Sequence, residues 1–158
     1  MKHVIIYFLI SFSINVFAQT STNFSHEVIG DWKGTGTLFN YPASFKMEWN
    51  LVLDNKFLKL EFENRFSDPS GNERVMNAHA YYDLKNEKGH WFDSRGMILP
   101  LKFELKDKMM TVFWGDERSE RGKTVYSFIG NKGIHVIDYV FTNGTYQPFG
   151  DAKYEKLL

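Results

Sequence analysis

The feature that most constrains the fold of this chain is a strict alternation of apolar and polar residues, which recurs in short runs from Gln19 onward. A period of two places successive side chains on opposite faces of a β-strand, whereas an amphipathic helix repeats its apolar residues every three or four positions. Apart from a short turn near residues 25–29, no helical repeat interrupts the alternation. The pattern predicts an all-β protein.

Turn-forming residues divide the alternating sequence into about ten predicted strands. Every connection between them is short, so strands that are adjacent in sequence are expected to pair as neighbours. A meander of this length tends to close on itself, because closure removes its unpaired edges. We therefore predict a single antiparallel up-and-down β-barrel, with a two-sheet sandwich around a filled core as the alternative. The predicted strands are Lys33–Tyr41, Ser44–Leu53, Lys56–Phe66, Glu73–Leu84, Lys88–Arg95, Leu99–Lys106, Met109–Gly115, Lys123–Gly130, Ile134–Thr142 and Thr145–Leu157.

Two hairpins have loops short enough to predict the register of their strands. The loops are residues 54–55 and residues 107–108, and a two-residue loop fixes which residues face one another. The predicted pairs bring apolar residues together on one face: Leu51–Leu58, Trp49–Leu60 and Met47–Phe62 in the first hairpin, and Leu105–Met110, Phe103–Val112 and Leu101–Trp114 in the second. Matching apolar faces in both hairpins support the barrel prediction.

A group of glycines surrounds a tryptophan where the alternation begins. Gly30, Gly34 and Gly36 flank Trp32. Glycine lets a strand bend sharply or approach a neighbouring backbone closely, as the first strand of a small barrel must at its corner. We predict structural roles for Gly30 and Gly34, and we expect Trp32 to point into one end of the barrel and plug it.

This pattern of glycines and tryptophan resembles the first-strand signature of the calycin superfamily, which includes lipocalins, fatty-acid-binding proteins and the haem-binding nitrobindins. The segments Ala80–Asp83 and Gly89–Gly96 resemble the centre of an uncharacterised bacterial calycin-like family, domain of unknown function 1579. The resemblance implies a calycin-like fold and no settled activity.

One feature of true lipocalins has no counterpart in the chain. Asp138-Tyr139 resembles the second lipocalin motif, but lipocalins also carry an arginine that covers the first-strand tryptophan. The last arginine of this chain is Arg121, so Lys153 or Lys156 would have to take that place. The resemblance is therefore to the wider superfamily rather than to a true lipocalin.

The first eighteen residues have the composition of a secretory signal peptide. Lys2 precedes an apolar run over residues 4–12, and residues 16–18 end in a small residue that suits signal peptidase. We expect cleavage before Gln19, which leaves a β-barrel domain of residues 19–158 that is exported to the periplasm or secreted and is not stably inserted in a membrane. An uncleaved membrane anchor is the alternative, although the run is short for a bilayer.

Composition restricts the partners that the chain can have. It contains no cysteine, so packing must stabilise the fold without disulfides. Its nineteen basic side chains balance nineteen acidic ones, which leaves no overall charge to attract nucleic acid or an anionic membrane. Its fifteen phenylalanines, eight tyrosines and four tryptophans suit an apolar interior or pocket. A small apolar molecule is the expected partner, and both a monomer and a homodimer stay open.

Five residues are candidates for contact with such a ligand. Arg95, Tyr126, Tyr139 and Tyr146 carry polar groups on predicted strands that are rich in apolar side chains. His135 lies among aromatic and aliphatic neighbours and could serve as the single axial ligand that haem requires. The alternative for each is structural, such as a strand histidine with a local hydrogen bond or core phenols that bond to backbone carbonyls.

Arg95 can be interpreted in two ways. It shares a strand face with Trp91 and Asp93, and an inward-facing Arg95 could bind a ligand carboxylate through its planar fork. The alternative is a salt bridge between Arg95 and Asp93 at the barrel rim. The charged segment Asp116–Arg121 is predicted to be a solvated loop whose arginines matter only if it folds over the barrel mouth. Alternation defines two faces of a strand but not which of them points inward.

These observations favour an exported protein that binds a small apolar or amphipathic molecule inside the barrel. Three alternatives stay open: a haem protein with His135 as axial ligand, a cofactor-free lyase or isomerase that uses Asp138 or Asp93 with a tyrosine, and a packed module without a ligand. The five histidines show no metal-ligand spacing, so we predict no metal site, and no established motif assigns a catalytic residue. An interior void below about 300 Å³ would favour the packed module.

Overall fold

Ten antiparallel strands close into one barrel in the computed structural model, which describes residues 23–130 and 132–157. The predicted all-β, up-and-down barrel is confirmed, and the two-sheet sandwich is wrong. The predicted signal peptide, residues 1–18, lies outside the described residues. The elements are α1 (Asn23–Glu27), β1 (Gly30–Leu38), β2 (Tyr41–Val52), β3 (Phe57–Ser67), β4 (Glu73–Asp83), β5 (Lys88–Asp93), β6 (Ile98–Lys106), β7 (Met109–Trp114), β8 (Gly122–Ile129), β9 (Gly133–Thr142) and β10 (Thr145–Lys156).

Strand pairing follows the order of the chain, and the first and last strands close the barrel. Each strand pairs antiparallel with its neighbour in sequence, and β1 also pairs with β10, from Trp32 opposite Lys156 to Leu38 opposite Gly150. Closure pairs the backbone groups that an open sheet would leave exposed at its edges. A β-bulge between Pro148 and Gly150 shifts the register of β10 against β9, and such a bulge bends the strand.

The predicted apolar pairs of both short hairpins face one another in the structure. In the first hairpin, Asp54 and Asn55 have φ angles of 59° and 60°, which lie in the left-handed region. Asp and Asn tolerate this conformation better than most residues, and it gives a two-residue turn the twist of its flanking strands. The Lys56 N–H donates a 3.2 Å hydrogen bond to the Leu53 carbonyl across the turn.

The barrel interior is formed by alternate residues of each strand. On β2, Ala43, Phe45, Met47 and Trp49 are buried, while the polar residues between them are exposed. Inward-facing rings from different strands pack on one another, as where Trp49 lies on Tyr82 with ring centroids 5.6 Å apart. Removal of these large apolar surfaces from water stabilises the barrel, which has no disulfides to do so.

Helix α1 closes the end of the barrel at which β1 begins. Phe24 and Val28 are fully buried there, and the ring of Phe24 lies 5.2 Å from that of Phe128. Trp32 is only 1% exposed, and its indole Nε1 donates a 2.7 Å hydrogen bond to the Val28 carbonyl. Trp32 is therefore packed inside this end of the barrel. In the described part of the chain, no helix is long and apolar enough to cross a membrane.

Lys156 takes the place that an arginine occupies over the first-strand tryptophan of lipocalins. Its Nζ lies 5.2 Å from the centroid of the Trp32 ring and donates a 3.1 Å hydrogen bond to the Glu27 carbonyl. Lys156 therefore ties β10 to both β1 and the end of α1. Lys153, the other lysine that the sequence offered for this place, is exposed.

Glycines of β1 allow the last strand to approach it closely. A Cβ atom at Gly34 would lie 2.7 Å from the ring of Tyr154, and one at Gly36 would overlap the backbone carbonyl of Asp151. Gly30 has a φ of 119°, a conformation that L side chains rarely adopt. A larger residue at any of these positions would force β1 and β10 to move or strain the backbone.

Candidate functional site

The barrel contains a cavity of about 600 Å³ that opens at the end opposite α1. Ligand pockets in proteins commonly measure about 300–1,000 Å³. The cavity is therefore large enough for a small molecule, and it exceeds the void of about 300 Å³ below which a packed module would be favoured. Phe39, Arg74, Arg95 and Glu120 line its mouth.

The wall of the cavity is mostly apolar because inward-facing alternate residues of the strands form it. Aliphatic and aromatic side chains come from β2, β3, β6, β7 and β9. Such side chains offer favourable contact to an apolar molecule and exclude water from around it. They include Phe45, Met47, Phe62, Leu99, Leu101, Val112, Val136 and Val140.

A polar cluster interrupts this apolar wall where β8 pairs with β9. Thr124 and Asp138 face one another in that pairing, and both line the cavity. The Thr124 hydroxyl donates a 2.6 Å hydrogen bond to Oδ1 of Asp138 and accepts a longer one, 3.3 Å, from the Trp114 indole. This chain of hydrogen bonds fixes the orientation of the Asp138 carboxyl within the cavity.

Asp138 is an acid whose surroundings disfavour its charge. Burial raises the pKa of its carboxyl from 3.8 to about 6, and the hydrogen bond from Thr124 offsets part of this effect. Within the described residues, no lysine or arginine forms a salt bridge with it. A carboxyl with this pKa can both lose and regain a proton near neutral pH.

Three buried tyrosines share the cavity with Asp138. Tyr82, Tyr126 and Tyr154 line it from β4, β8 and β10, and Tyr126 is one of the residues predicted to contact a ligand. Burial raises the pKa of each phenol, and the nearby charge of Asp138 raises it further. The hydroxyls therefore stay protonated at neutral pH and can donate hydrogen bonds. The cavity combines one acid with neutral phenol groups.

Arg95 lies at the cavity mouth, where it is paired with two acids. Its guanidinium lies 2.7 Å from Oδ2 of Asp93 and 2.6 Å from Oε1 of Glu120. The Trp91 indole also donates a 3.0 Å hydrogen bond to Asp93. Burial alone would raise the pKa of Asp93, but the hydrogen bonds from Arg95 and Trp91 lower it overall. The rim salt bridge considered for Arg95 is thus present, and it fastens loop 115–121 at the mouth.

Three of the predicted ligand residues lie on the outer surface of the barrel. His135 Nε2 lies 2.8 Å from Oδ1 of Asp151, while the Lys123 Nζ lies 4.9 Å from the ring centroid of Tyr139 and 4.7 Å from that of Tyr146. Odd-numbered residues of β9 face outward because the even-numbered ones line the cavity. Contrary to expectation, His135, Tyr139 and Tyr146 do not line the cavity.

The outward position of His135 bears on the haem alternative. An axial ligand must reach the haem iron, and His135 instead bonds to Asp151 on the outer face. Across residues 23–130 and 132–157, the cavity lining contains no histidine. A haem inside the barrel would therefore need a ligand other than His135. In the same two ranges, no group of three or more His, Cys, Asp or Glu side chains could hold a metal ion.

Part of the cavity lining was not suggested by the sequence. Thr124, Tyr82 and Tyr154 were not singled out, and Asp138 was expected only as one alternative acid. A signal for the cluster exists nonetheless, because Asp138 interrupts an otherwise apolar face of β9. An ionisable residue on an apolar strand face marks either a buried polar pair or a functional group.

Comparisons with known proteins do not assign the chain to a family, since no family model and no curated protein matches it. The closed ten-stranded antiparallel barrel is consistent with a calycin-like fold. Membership in the family of domain of unknown function 1579 stays a prediction. The function has to be argued from the cavity itself.

Proposed function

We propose that this is an exported protein that binds a small apolar or amphipathic molecule in the barrel cavity. The observation that supports the proposal is a cavity of about 600 Å³ whose apolar wall carries a fixed polar group, Asp138 hydrogen-bonded to Thr124. Ligand sites commonly combine an apolar enclosure with a few polar groups that orient the ligand. Export is inferred from the signal-like composition of residues 1–18.

Burial of the apolar part of the ligand would supply most of the affinity. Each methylene group removed from water contributes about 0.8 kcal/mol, which corresponds to about a fourfold gain in affinity. Affinity should therefore rise with the length of an alkyl chain until the chain fills the cavity, and then stop rising. A molecule that adheres to the outer surface would meet no such limit.

The open end of the barrel has features of an access route. Phe39 is 53% exposed, and its ring stacks on that of Phe149 with centroids 5.2 Å apart. Both rings line the cavity mouth, where they can contact an apolar molecule before it is enclosed. The positive φ angles of Phe39 (52°) and Asn40 (66°) belong to the two-residue turn between β1 and β2, which places the Phe39 ring at this end.

Nile red, a neutral dye that fluoresces strongly in apolar surroundings, tests the proposal. Titration of the dye into the purified protein is expected to give saturable binding at a single site. Straight-chain alcohols should displace it with affinities that rise by about a factor of four per methylene and then reach a plateau. Non-saturable fluorescence, or displacement that is independent of chain length, would reject a ligand-binding cavity.

A second candidate function, proton transfer, is favoured by the position of Asp138. Its carboxyl has a pKa of about 6 and shares the cavity with phenols that can donate hydrogen bonds. In its carboxylate form, Asp138 can remove a proton from the carbon next to a carbonyl group. A phenol can meanwhile stabilise the developing enolate oxygen by a hydrogen bond. In deuterated buffer, the wild-type protein would then accelerate exchange of the α-protons of a long-chain methyl ketone, and Asp138→Asn would not. Exchange at the buffer rate would reject proton transfer of this kind.

We also infer that the chain is a distant member of the family of domain of unknown function 1579, because of residues 80–83 and 89–96. Both segments have structural roles in this barrel. Asp83 accepts backbone hydrogen bonds in the turn after β4, and Asp93 accepts a hydrogen bond from the Trp91 indole at the mouth. A crystal structure of a family member tests the inference. The corresponding aspartates should accept the same hydrogen bonds in a closed barrel, and a different fold would reject the membership.

A further inference from the structure

We propose that the molecule held in the cavity is a cationic amphiphile whose protonated amino group binds the carboxylate of Asp138. This inference rests on the proposed ligand-binding function and names the chemical class of the ligand. Three features of the cavity point to this class: the pairing of the arginines at its mouth, the free oxygen of the carboxylate inside it, and the phenol rings that line the same cavity.

Both arginines at the mouth are paired with acids. Arg74 lies 2.7 Å from Asp68, and Arg95 lies 2.6 Å from Glu120. Both arginines that line the cavity in the described part of the chain are therefore already paired. An anionic ligand would have to compete with these acids for the guanidinium groups. The arrangement therefore disfavours the binding of a ligand carboxylate by Arg95, which the sequence had suggested.

Asp138, inside the barrel, has no such partner. Among residues 23–130 and 132–157, no cationic side chain forms an ion pair with it. Oδ1 accepts the Thr124 hydrogen bond, whereas Oδ2 accepts none from these residues. That oxygen lies against Gly150, where a Cβ atom would be only 2.9 Å from Oδ2. A ligand that brings a positive charge and N–H donors would stabilise this carboxylate inside the barrel.

The rings around the cavity suit an ammonium group. Tyr82, Tyr126 and Tyr154 line the same cavity as Asp138. Aromatic faces attract cations, and each phenol oxygen can accept an N–H hydrogen bond. A primary ammonium group has three N–H donors, which can be shared between Oδ2 and the phenol oxygens. The alkyl part of the ligand would then extend along the apolar wall.

The raised pKa of Asp138 agrees with this assignment, because burial without a positive neighbour destabilises the carboxylate. A ligand ammonium group would supply that neighbour. A ligand carboxylate would instead repel Asp138, and an alcohol would donate only one neutral hydrogen bond. For ligands of equal chain length, the expected order of affinity is amine, then alcohol, then carboxylate.

Displacement of Nile red from the whole protein by decylamine, decanol and decanoate tests the inference. With the wild type, decylamine should bind at least about tenfold more tightly than decanol, and decanoate should bind most weakly. Asp138→Asn preserves the shape of the side chain without its charge, so it should reduce the preference for the amine by about tenfold. Asp151→Asn, which removes an acid from the outer face of β10, is the matched control and should keep the wild-type order.

Two results would overturn the inference while the cavity function stands: equal affinity of the wild type for decylamine and decanol, or an amine preference that survives Asp138→Asn. Failure of Nile red to bind the wild type would instead remove the cavity function and this inference together. The order of affinities in the wild type is measured without any substitution. It therefore tests the inference even if Asp138→Asn fails to fold.

Discussion

Thr124 and Asp138 lie opposite each other on β8 and β9, and a hydrogen bond of 2.6 Å joins the Thr124 hydroxyl to Oδ1 of Asp138. The bond holds an acid inside the barrel at a place where packing alone would favour an apolar residue. Val136 and Val140, its neighbours on the same face of β9, are apolar. The fold therefore carries an ionisable group in its interior at a cost in stability, as functional sites commonly do.

Replacement of Asp138 by Asn is expected to stabilise the protein at alkaline pH. The pKa of Asp138 is raised by burial from 3.8 to about 6 in the folded protein. Between these two values the folded protein binds more protons than the unfolded chain, so the free energy of unfolding falls as pH rises through the window. Asn does not titrate and should avoid this loss, which is about 3 kcal/mol for a shift of about two pKa units.

Urea unfolding of Asp138→Asn and wild type at about pH 4 and about pH 8 measures this effect. The advantage of the variant should grow by about 1–3 kcal/mol from the acidic to the alkaline condition. Asp31→Asn, at an exposed position of β1, is the control and should show no such growth. An advantage of equal size at both pH values would contradict a buried, destabilised charge at Asp138.

Loss of the Lys156 amino group should weaken the closed end of the barrel. Lys156→Met keeps much of the apolar stem but removes the contact with the Trp32 ring and the hydrogen bond to the Glu27 carbonyl. We expect a loss of about 1–2 kcal/mol in the free energy of unfolding. Lys153→Met, at an exposed position of the same strand, should change it by less than about 0.5 kcal/mol. Equal effects in thermal unfolding would show that Lys156 does not tie the closed end.

Alanine at the two glycines that face β10 should destabilise the barrel to different degrees. At Gly36 a methyl group would meet the rigid backbone at Asp151, whereas at Gly34 it would meet the ring of Tyr154, which can shift. We expect Gly36→Ala to cost more than about 2 kcal/mol and Gly34→Ala to cost less than that. Chemical denaturation measures both variants, and the reverse order would be inconsistent with a backbone contact at Gly36.

Removal of the Glu120 charge should speed access to the cavity with little effect on stability. Glu120→Gln leaves Arg95 paired with Asp93 alone and loosens loop 115–121 from the mouth. Because the pair is partly exposed, the free energy of unfolding should change by less than about 1 kcal/mol. Stopped-flow mixing with Nile red should show faster uptake than in the wild type, and Glu117→Gln on the same loop should not. Uptake at the wild-type rate would mean that this salt bridge does not control the mouth.

The fold was predictable from the sequence because its determinants are local. Turns such as Asp54-Asn55 set the register of a hairpin by counting, and the apolar alternation of each strand then has to match that of its neighbour. Trp32 was recognisable from the glycines around it. Because the last arginine of the chain is Arg121, a lysine was expected to cover the Trp32 ring. In the structure, Lys156 lies over that ring.

The candidate site was less predictable because it depends on which face of a strand points inward. Asp138 and Tyr139 are adjacent on the same strand, so their side chains lie on opposite faces. The sequence alone does not say which of the two faces the interior. Aromatic content did not separate the faces, since Tyr139 and Tyr146 pack beneath the Lys123 amino group on the outside. The role of Thr124 arises only from the pairing of β8 with β9.

Nile red titration of two variants that add the same bulk on opposite faces of neighbouring strands tests the cavity account most directly. Val140→Phe places a ring in the cavity, whereas Val125→Phe places it on the outer face of β8. We predict that Val140→Phe lowers the affinity for the dye by at least about tenfold while Val125→Phe retains that of the wild type. A folded Val140→Phe protein that binds the dye as tightly as the wild type would contradict binding inside the barrel.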